Sequence, residues 1–317
     1  MQAWDVIIVG GGSAGLSAAL MLGRSRRRVL VVDAGRPRSR TAAHMHGVLG
    51  RDHTSPLDLL AAGRAELTRY DVVVESGEVA GAVPLDAESA GADGLSFELE
   101  LESGARHAAR RVLVATGLVD ELPDIPGLAG QWGRGVVLCP YCDGWEVRDE
   151  RIAVIASGAA NAHQAQLLRE LSDDVTFFTG GAALPPATRE GLEARGIAIE
   201  ERPVAEVLED GDGRLRAVRL DDGTELGADV VFVAPRAVAN DGVLRELGAR
   251  FMRQGGAQQV IVDDDGRTSV RGLYAAGNVI GPRSSVPWAM ATGNLAGTAM
   301  NADLVEEDIR RAVERRG

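Results

Sequence analysis

The chain begins with an apolar segment, a glycine-rich segment and a segment of helical character. Residues 5–9, an aspartate followed by Val-Ile-Ile-Val, form an apolar run that leads into Gly-Gly-Gly-Ser-Ala-Gly at residues 10–15. Residues 16–23 then follow a helical pattern. The pattern predicts a strand, a tight glycine turn and a helix.

The spacing of these glycines is typical of a dinucleotide site. Gly10 makes the turn, Gly12 lets the backbone approach a pyrophosphate, and Gly15 lets the helix pack on the strand. A second predicted strand, residues 28–32, ends in Asp33, where an acid that binds a ribose hydroxyl is expected. The alternative is a glycine turn that serves packing alone.

The same plan restarts at residue 151. Its predicted elements are a strand (152–155), a turn (Ala156-Ser157-Gly158), a helix (159–171) and a strand (175–178). Ala156 stands at the first glycine position and Asn161 at the third. The last strand ends in Thr-Gly-Gly at residues 179–181, with neither an acid nor an arginine to read a ribose 2′ position. This second fold either binds its nucleotide poorly or has become a scaffold.

Further segments follow helical or strand patterns. They are a helix over 57–70, a strand over 72–75 with 77–79, a half-exposed strand over 96–102, buried strands over 111–115 and 229–234, a crossover over 235–240, a strand over 259–262, and a helix over 290–301 whose small residues can lie close to a ligand. The chain is therefore predicted to be an α/β protein with two Rossmann-like dinucleotide-binding folds. We expect a discontinuous first domain at residues 1–115 and 245–317, and an inserted NAD(P)H-type domain at 116–244.

Composition narrows the partners and the compartment. The 317 residues carry a formal net charge of −12 and a pI near 5.0, which disfavours nucleic acid and anionic membranes as partners. All 34 basic residues are arginine, which excludes Schiff-base chemistry and a phosphate loop with its lysine. The apolar runs are far shorter than the roughly 20 residues that span a bilayer. Because the N-terminus enters a strand directly, we expect a cytoplasmic protein.

The only two cysteines lie in Cys-Pro-Tyr-Cys-Asp-Gly-Trp-Glu at residues 139–146. Two intervening residues let the sulfurs of Cys139 and Cys142 meet across one turn, and a thiol at the start of a helix has a lowered pKa. Asp143 follows directly and is placed to give or take a proton. A closed zinc site needs four ligands and the chain has no second cysteine pair, so the motif favours a redox pair over a metal site.

A loop over residues 41–56 contains three of the five histidines, His44, His46 and His53. His46 begins the sequence His-Gly-Val-Leu-Gly, which could reach a ring system, so His46 is a candidate active-site residue. The alternative is a solvated or hydrogen-bonded loop histidine.

Five features together resemble the low-molecular-weight thioredoxin reductase family. They are the glycine fold, the segment Ala115-Thr116-Gly117, the CxxC pair, the second nucleotide fold and a closing Ala-Ala-Gly-Asn at residues 275–278. The resemblance covers nearly the whole chain and includes the family's spacing from Cys142 to Ala156. It implies that Cys142 faces a flavin, that Cys139 attacks the substrate and that Asp143 acts as acid and base. It also implies a homodimer, and an FAD site formed by Gly10, Gly12, Ser13, Ala14, Gly15, Asp33, Ala34, Val79, Ala115, Thr116, Gly117, Gly277 and Asn278.

Three departures from the reductase pattern bear on the activity. Asn278 replaces the family's flavin-binding aspartate, and Val286-Pro287 stands where reductases carry Arg-Gln. The second fold lacks the arginines that bind the 2′-phosphate of NADPH, so hydride from NADPH is hard to supply. The sequence Trp145-Glu146 after Cys-Asp-Gly instead resembles the motif of the flavin-dependent dithiol oxidases that close the disulfides of gliotoxin, holomycin and romidepsin.

Three functions are compatible with these features. In the leading hypothesis, a small-molecule dithiol exchanges with Cys139–Cys142, the pair reduces FAD, and oxygen reoxidises the flavin. In the second, NADPH or another donor drives reduction of a thioredoxin-like protein. In the third, the protein is a flavin-bound redox sensor whose disulfide state changes a partner interface.

Overall fold

The computed structural model describes residues 2–86, 94–157, 161–254, 257–282 and 285–316. Gly158, in the predicted turn of the second nucleotide fold, lies outside the described residues, as does the start of the helix predicted at 159–171. Two compact units make up the chain. The first contains Met1–Arg40, Pro56–Val119 and Val238–Gly317, and the second contains Thr41–Ser55 and Asp120–Ala237. Among the described residues, no helix has both the length and the apolar character needed to cross a membrane.

Helices and strands occur along the whole of the described chain, with runs of consecutive strands after α2 and after α5. The first part contains β1 (Gln2–Val9), α1 (Ser13–Arg24), β2 (Val29–Asp33), α2 (Pro56–Leu67), β3 (Val73–Ser76), β4 (Val79–Pro84), β5 (Phe97–Leu101), β6 (Arg106–Val114), β7 (Leu118–Glu121), β8 (Val136–Val137), α3 (Pro140–Asp143), β9 (Ile152–Ile155) and α4 (Asn161–Leu168). The remainder contains β10 (Val175–Phe178), α5 (Pro186–Glu193), β11 (Ala198–Glu200), β12 (Val204–Glu209), β13 (Leu215–Leu220), β14 (Glu225–Gly227), β15 (Val230–Val233), β16 (Arg236–Ala239), α6 (Gly242–Glu246), β17 (Phe251–Gln254), β18 (Ala257–Val260), β19 (Leu273–Ala275) and α7 (Val286–Glu314). Short 3-10 turns occupy Arg38–Thr41, Thr68–Tyr70, Ala129–Gln131 and Gly277–Ile280.

A seven-stranded sheet forms the centre of the first unit, in the order β3-β2-β1-β6-β5-β4 with β19 paired to β6. Strand β1 is parallel to β2 and β6, so that Val9 lies beside Val32 and Val114. Strand β19 is also parallel to β6, with Ala275 beside Val114. The carboxyl ends of β1, β2, β6 and β19 therefore share one edge of the sheet, the edge at which doubly wound proteins bind ligands.

Helix α7 packs closely on α1 in the first unit. A Cβ added to Gly293 would lie 2.0 Å from the carbonyl oxygen of Ala14, and one added to Gly297 would lie 2.8 Å from that of Ala18. The small residues of the predicted 290–301 helix therefore have a packing role, because only glycine lets the two backbones approach this far.

Helix α7 also carries the acids that neutralise a buried arginine on β6. The Arg111 side chain is only 3% exposed, and its Nε lies 2.7 Å from Asp303 Oδ2. Its Nη2 lies 2.6 Å from Glu307 Oε2. A buried charge is tolerated only when it is paired in this way, so the two acids fix the register of α7 on the sheet.

The second unit contains a five-stranded parallel sheet in the order β11-β10-β9-β15-β8, and an antiparallel sheet of β12, β13 and β14. Strands β9 and β15 are buried along their whole length, which explains their unbroken apolar sequences.

The predicted α/β class with Rossmann-like folds is confirmed, and the strands predicted at 152–155 and 175–178 coincide with β9 and β10. One interpretation was wrong. Residues 72–79 form the separate strands β3 and β4, because β3 pairs with β2 and β4 pairs with β5. At the predicted crossover, 235–240, the chain passes from the second unit to the first, and the segment also contains β16, which pairs with β7.

Candidate active site

The two cysteines close a single helical turn in the second unit. Cys139 and Cys142 form a disulfide, with their Cα atoms 5.1 Å apart. The backbone N–H groups of Cys142 and Asp143 both donate to the carbonyl oxygen of Cys139, at 3.0 Å. Pro140 occupies the start of this turn. A backbone N–H at that position would have no acceptor within the helix, so proline, which lacks the N–H, costs no hydrogen bond there. The local sequence therefore holds the sulfurs together.

Two aromatic side chains near the disulfide are exposed. Tyr141 is 80% exposed and Trp145 is 65% exposed. The guanidinium of Arg148 lies over the Trp145 ring, 4.4 Å from its centroid. An exposed aromatic pair beside a reactive bond offers apolar surface to a small molecule.

Asp143 is half-buried next to the disulfide. Burial raises the pKa of Asp143 to about 6, because desolvation disfavours the charged carboxylate, and the negative charge of Glu146 acts in the same direction. A backbone hydrogen bond from Cys139 and the charge of His46 oppose this rise in pKa. A carboxyl with a pKa near the working pH can both accept and return a proton.

His46 lies between two carboxylates of the same unit. Its Nδ1 is 3.4 Å from Asp52 Oδ1 and its Nε2 is 3.4 Å from Glu146 Oε1. The surrounding loop is held by backbone hydrogen bonds between Met45 and Thr54, and from the His53 N–H to the Met45 carbonyl. The structure therefore brings His46 into the electrostatic environment of Asp143.

Glu146 and Asp52 were not identified from the sequence. Glu146 belongs to the cysteine motif, but nothing local indicates that its partner is a histidine near residue 50. Asp52 follows Arg51 in an irregular loop and has no periodic pattern around it. Only the folding of this loop within the second unit brings the three side chains together.

The three glycines of the turn after β1, Gly10, Gly12 and Gly15, have different surroundings. Gly10 has φ of 108°, and a Cβ there would lie 2.5 Å from the carbonyl oxygen of Ala115. A Cβ on Gly15 would lie 1.9 Å from the carbonyl oxygen of Gly10. A Cβ on Gly12 would meet nothing within 4 Å, and Gly12 caps α1 without a side-chain hydrogen bond. Gly10 and Gly15 are thus required by packing, whereas Gly12 leaves the start of the helix open, as a phosphate requires.

Asp33 ends β2 and is held in place by three neighbours. Its Oδ1 accepts hydrogen bonds from the backbone N–H groups of Gly11 and Gly35, each at 3.2 Å. Its Oδ2 pairs with Arg64 of α2. Arg64 was missed in the sequence, because no pattern links a helix position to a strand end so far away. Ala34, which follows Asp33, is exposed.

The turn after β6 is tied to the segment that leads into α6. Thr116 Oγ1 donates to the carbonyl oxygen of Asn240 at 2.6 Å, and Asn240 Nδ2 donates back to the Thr116 carbonyl at 2.9 Å. The backbone N–H of Asn240 also donates to Gly117 at 3.0 Å.

The turn after β19 lies against the start of α1. Gly277 has φ of 74°, and its N–H donates to Thr292 Oγ1 at 3.1 Å. A Cβ on Gly277 would lie 2.8 Å from that of Ala14, which follows Ser13 in α1. Asn278 Nδ2 donates to the Gly281 carbonyl at 3.3 Å.

The predicted residues divide between the units. Every predicted FAD-binding residue, including Val79 at the start of β4, belongs to the first unit, and all four predicted catalytic residues belong to the second.

The second nucleotide fold differs from the first at the matching positions. Asn161 is buried, and its Oδ1 accepts a hydrogen bond from the backbone N–H of Ser157 at 3.0 Å. Its Nδ2 donates to Gln164 Oε1 at 3.0 Å. Arg189 and Arg202, which follow β10 in the chain, form ion pairs with Glu201 and Glu200. The backbone N–H of Ser157 and the side chains of Arg189 and Arg202 therefore already have partners within the protein.

Comparison with known proteins gives matches along almost the entire chain. The model of the pyridine nucleotide-disulphide oxidoreductase family matches residues 4–293. The chain is 33% identical over 316 residues to thioredoxin reductase tcpT of Claviceps purpurea (strain 20.1), covering 96% of this chain and 95% of that protein. It is 30% identical over 320 residues to thioredoxin reductase sirT of Leptosphaeria maculans, covering 96% of each. The crystal structure of HlmI matches with a TM-score of 0.92 and 40% identity, covering 99% of this chain and 96% of that one. The predicted resemblance to thioredoxin reductase-like proteins is confirmed.

Proposed function

The chain belongs to the pyridine nucleotide-disulphide oxidoreductase family, and on that basis we propose that it is an FAD-dependent enzyme that oxidises a small-molecule dithiol to a disulfide, with oxygen as the final acceptor. The observation that carries this proposal is the contrast between the two nucleotide folds. The first leaves the helix start open at Gly12, whereas Asn161 occupies a turn N–H of the second.

The first unit has the features that FAD requires. An unobstructed α1 N-terminus at Gly12 suits the pyrophosphate, and the immobilised Asp33 carboxylate suits a ribose hydroxyl. Thr116, Gly117, Gly277 and Asn278 would hold the rest of the cofactor. When bound, FAD supplies a two-electron acceptor that can pass electrons on to oxygen.

The cysteine pair performs the thiol chemistry. A substrate thiolate attacks the sulfur of Cys139, a new S–S bond forms, and Cys142 leaves as a thiolate. The second substrate thiolate then attacks the substrate sulfur of this mixed disulfide, and Cys139 leaves in turn. The substrate loses two electrons and two protons, the cysteine pair gains the electrons, and Asp143 accepts a thiol proton.

The surroundings of the disulfide support a small substrate. Tyr141 and Trp145 expose aromatic surface on both sides of Cys142 in the sequence, which suits a compact dithiol with an apolar body. NADPH is disfavoured as the electron donor because the arginines after β10, Arg189 and Arg202, already pair with acids.

The alternative is an NADPH-driven reductase of a thioredoxin-like protein, and both tcpT and sirT carry the name thioredoxin reductase. Anaerobic mixing of the oxidised holoprotein with NADPH, NADH or a dithiol separates the two functions, with flavin absorbance as the signal. We expect the dithiol to bleach the flavin and oxygen to restore it over many turnovers. Reduction by NADPH with a micromolar KM, with a thioredoxin as acceptor, would replace the oxidase with the reductase.

A further inference from the structure

The imidazole of His46 has a distinct partner on each ring nitrogen. Asp52 faces Nδ1 and Glu146 faces Nε2, both at 3.4 Å. Asp52 is on the same loop as His46, whereas Glu146 follows the cysteine turn, so the histidine joins two segments of the second unit. Across the described ranges, no group of three or more His, Cys, Asp or Glu side chains is placed to hold a metal ion.

We propose that His46, held between Asp52 and Glu146, is a positioning residue that carries protons between Asp143 and solvent during thiol–disulfide exchange. This inference rests on the proposed function, because it concerns the protons that a dithiol releases at the Cys139–Cys142 bond. It adds Glu146 and Asp52 to the groups on which the exchange depends.

Both carboxylates that flank His46 are more exposed than His46 itself. The His46 side chain is 14% exposed, that of Glu146 is 39% exposed and that of Asp52 is 68% exposed, so the Asp52 side of the imidazole is the side open to solvent. Asp143 itself is half-buried beside the disulfide, so a proton that it accepts needs a route to water. A histidine can accept a proton on one ring nitrogen while it releases another from the second, which is the property such a route requires.

The proton balance closes without another reactant. Asp143 takes a proton from the attacking substrate thiol and becomes a neutral acid. His46 takes this proton on the side of Glu146, directly or through a water molecule, and releases a proton on the side of Asp52. Asp143 returns to the carboxylate, ready for the second thiol.

The charges around Asp143 support this arrangement. Glu146 raises the pKa of Asp143 and His46 lowers it, so the two neighbours act in opposite directions. Further ionisable groups lie nearby. They are His53, whose ring is 5.5 Å from that of His46, His44, which stacks on His53, and Arg148 over Trp145.

The test measures how fast dithiothreitol reduces the disulfide of the holoprotein as a function of pH. Samples are quenched with an alkylating reagent, and the alkylated cysteines are counted by intact mass. The variants are His46→Gln and Glu146→Gln, with His44→Gln as a control in the same loop. Single-turnover rates between pH 4.5 and pH 8 define the midpoint of the acid limb, which we expect near the Asp143 pKa of about 6 in the wild type.

We expect the two variants to move this midpoint in opposite directions. His46→Gln should raise it, because the neighbour that lowers the Asp143 pKa is lost, and Glu146→Gln should lower it by more, because Glu146 has the larger influence of the two. The rate at the plateau should fall for His46→Gln, and His44→Gln should match the wild type in both quantities. A merely structural role of His46 would slow the reaction without opposite shifts of the midpoint.

The inference is overturned if both midpoints stay within error of the wild type or move in the same direction. If His46→Gln does not fold, Glu146→Gln decides alone, because its side chain is partly exposed and glutamine fits the same space. Failure of the proposed function has a different signature. In that case the wild-type disulfide would react with dithiothreitol without oxygen-dependent turnover, and the comparison of midpoints would still stand.

Discussion

Gly12→Val and Gly15→Ala should affect different properties of this protein, although both glycines belong to one motif. The first should reduce FAD binding and the second should reduce stability. The backbone of Gly12 has φ of −78° and ψ of −174°, an extended conformation that any residue adopts, and a Cβ there meets no atom within 4 Å. A Cβ on Gly15 would lie 1.9 Å from the carbonyl oxygen of Gly10. Gly12→Val should therefore fill ligand space, and Gly15→Ala should displace backbone.

The magnitudes follow from these contacts. Gly15→Ala forces apart two backbone segments, and overpacking of this kind costs about 1–3 kcal/mol, here at the upper end because neither neighbour is a flexible side chain. Gly12→Val changes only the residue that caps α1, which costs about 1 kcal/mol or less. Loss of FAD would hide this difference, because a ligand at 100 times its Kd stabilises the folded state by about 2.7 kcal/mol.

Stability is therefore measured on flavin-free protein by urea unfolding, and flavin content is measured separately by absorbance per chain after purification. We expect Gly12→Val to unfold at nearly the wild-type urea concentration and to bind little or no FAD. Gly15→Ala should unfold earlier but regain flavin when FAD is added in excess. Full flavin content in Gly12→Val would refute the assignment of the pyrophosphate to the α1 N-terminus.

Three further changes test the cysteine pair, its acid and the buried ion pair. Cys142→Ser, which keeps Cys139, should form a mixed disulfide with a small aromatic disulfide on the order of tenfold faster than Cys139→Ser, and intact mass would show the reverse ranking if the roles are exchanged. Asp143→Asn should slow dithiol exchange by about 10²–10⁴-fold. The rate of wild-type exchange should fall as the pH drops through about 6, because Asp143 becomes protonated and can no longer accept a proton. If the Asp143→Asn variant showed the same fall in rate, Asp143 would be excluded as its source. Arg111→Leu should lower the free energy of unfolding by about 1–3 kcal/mol, because Asp303 and Glu307 lose a buried partner while Glu307 keeps Arg110 and Arg311. Unchanged urea unfolding would contradict this.

Features that depend on neighbouring residues could be predicted from the amino-acid sequence. The strand, glycine turn and helix at the N-terminus follow from apolar periodicity and glycine spacing, and the CxxC spacing alone lets Cys139 and Cys142 close one turn. The sequence also showed, at Ala156 and Asn161, that the second fold lacks the glycine pattern of the first. All of these are short-range properties, since each needs only a few consecutive residues.

The contacts between side chains that are distant in sequence became visible only in the folded protein. The pairing of His46 with Glu146, and of Asp33 with Arg64, has no sequence signature, because the partners lie in segments that only the folded backbone brings together. The different roles of Gly12 and Gly15 were equally hidden. A glycine is the same residue whether the space beside it holds a backbone carbonyl or is open, and only the packed structure distinguishes the two.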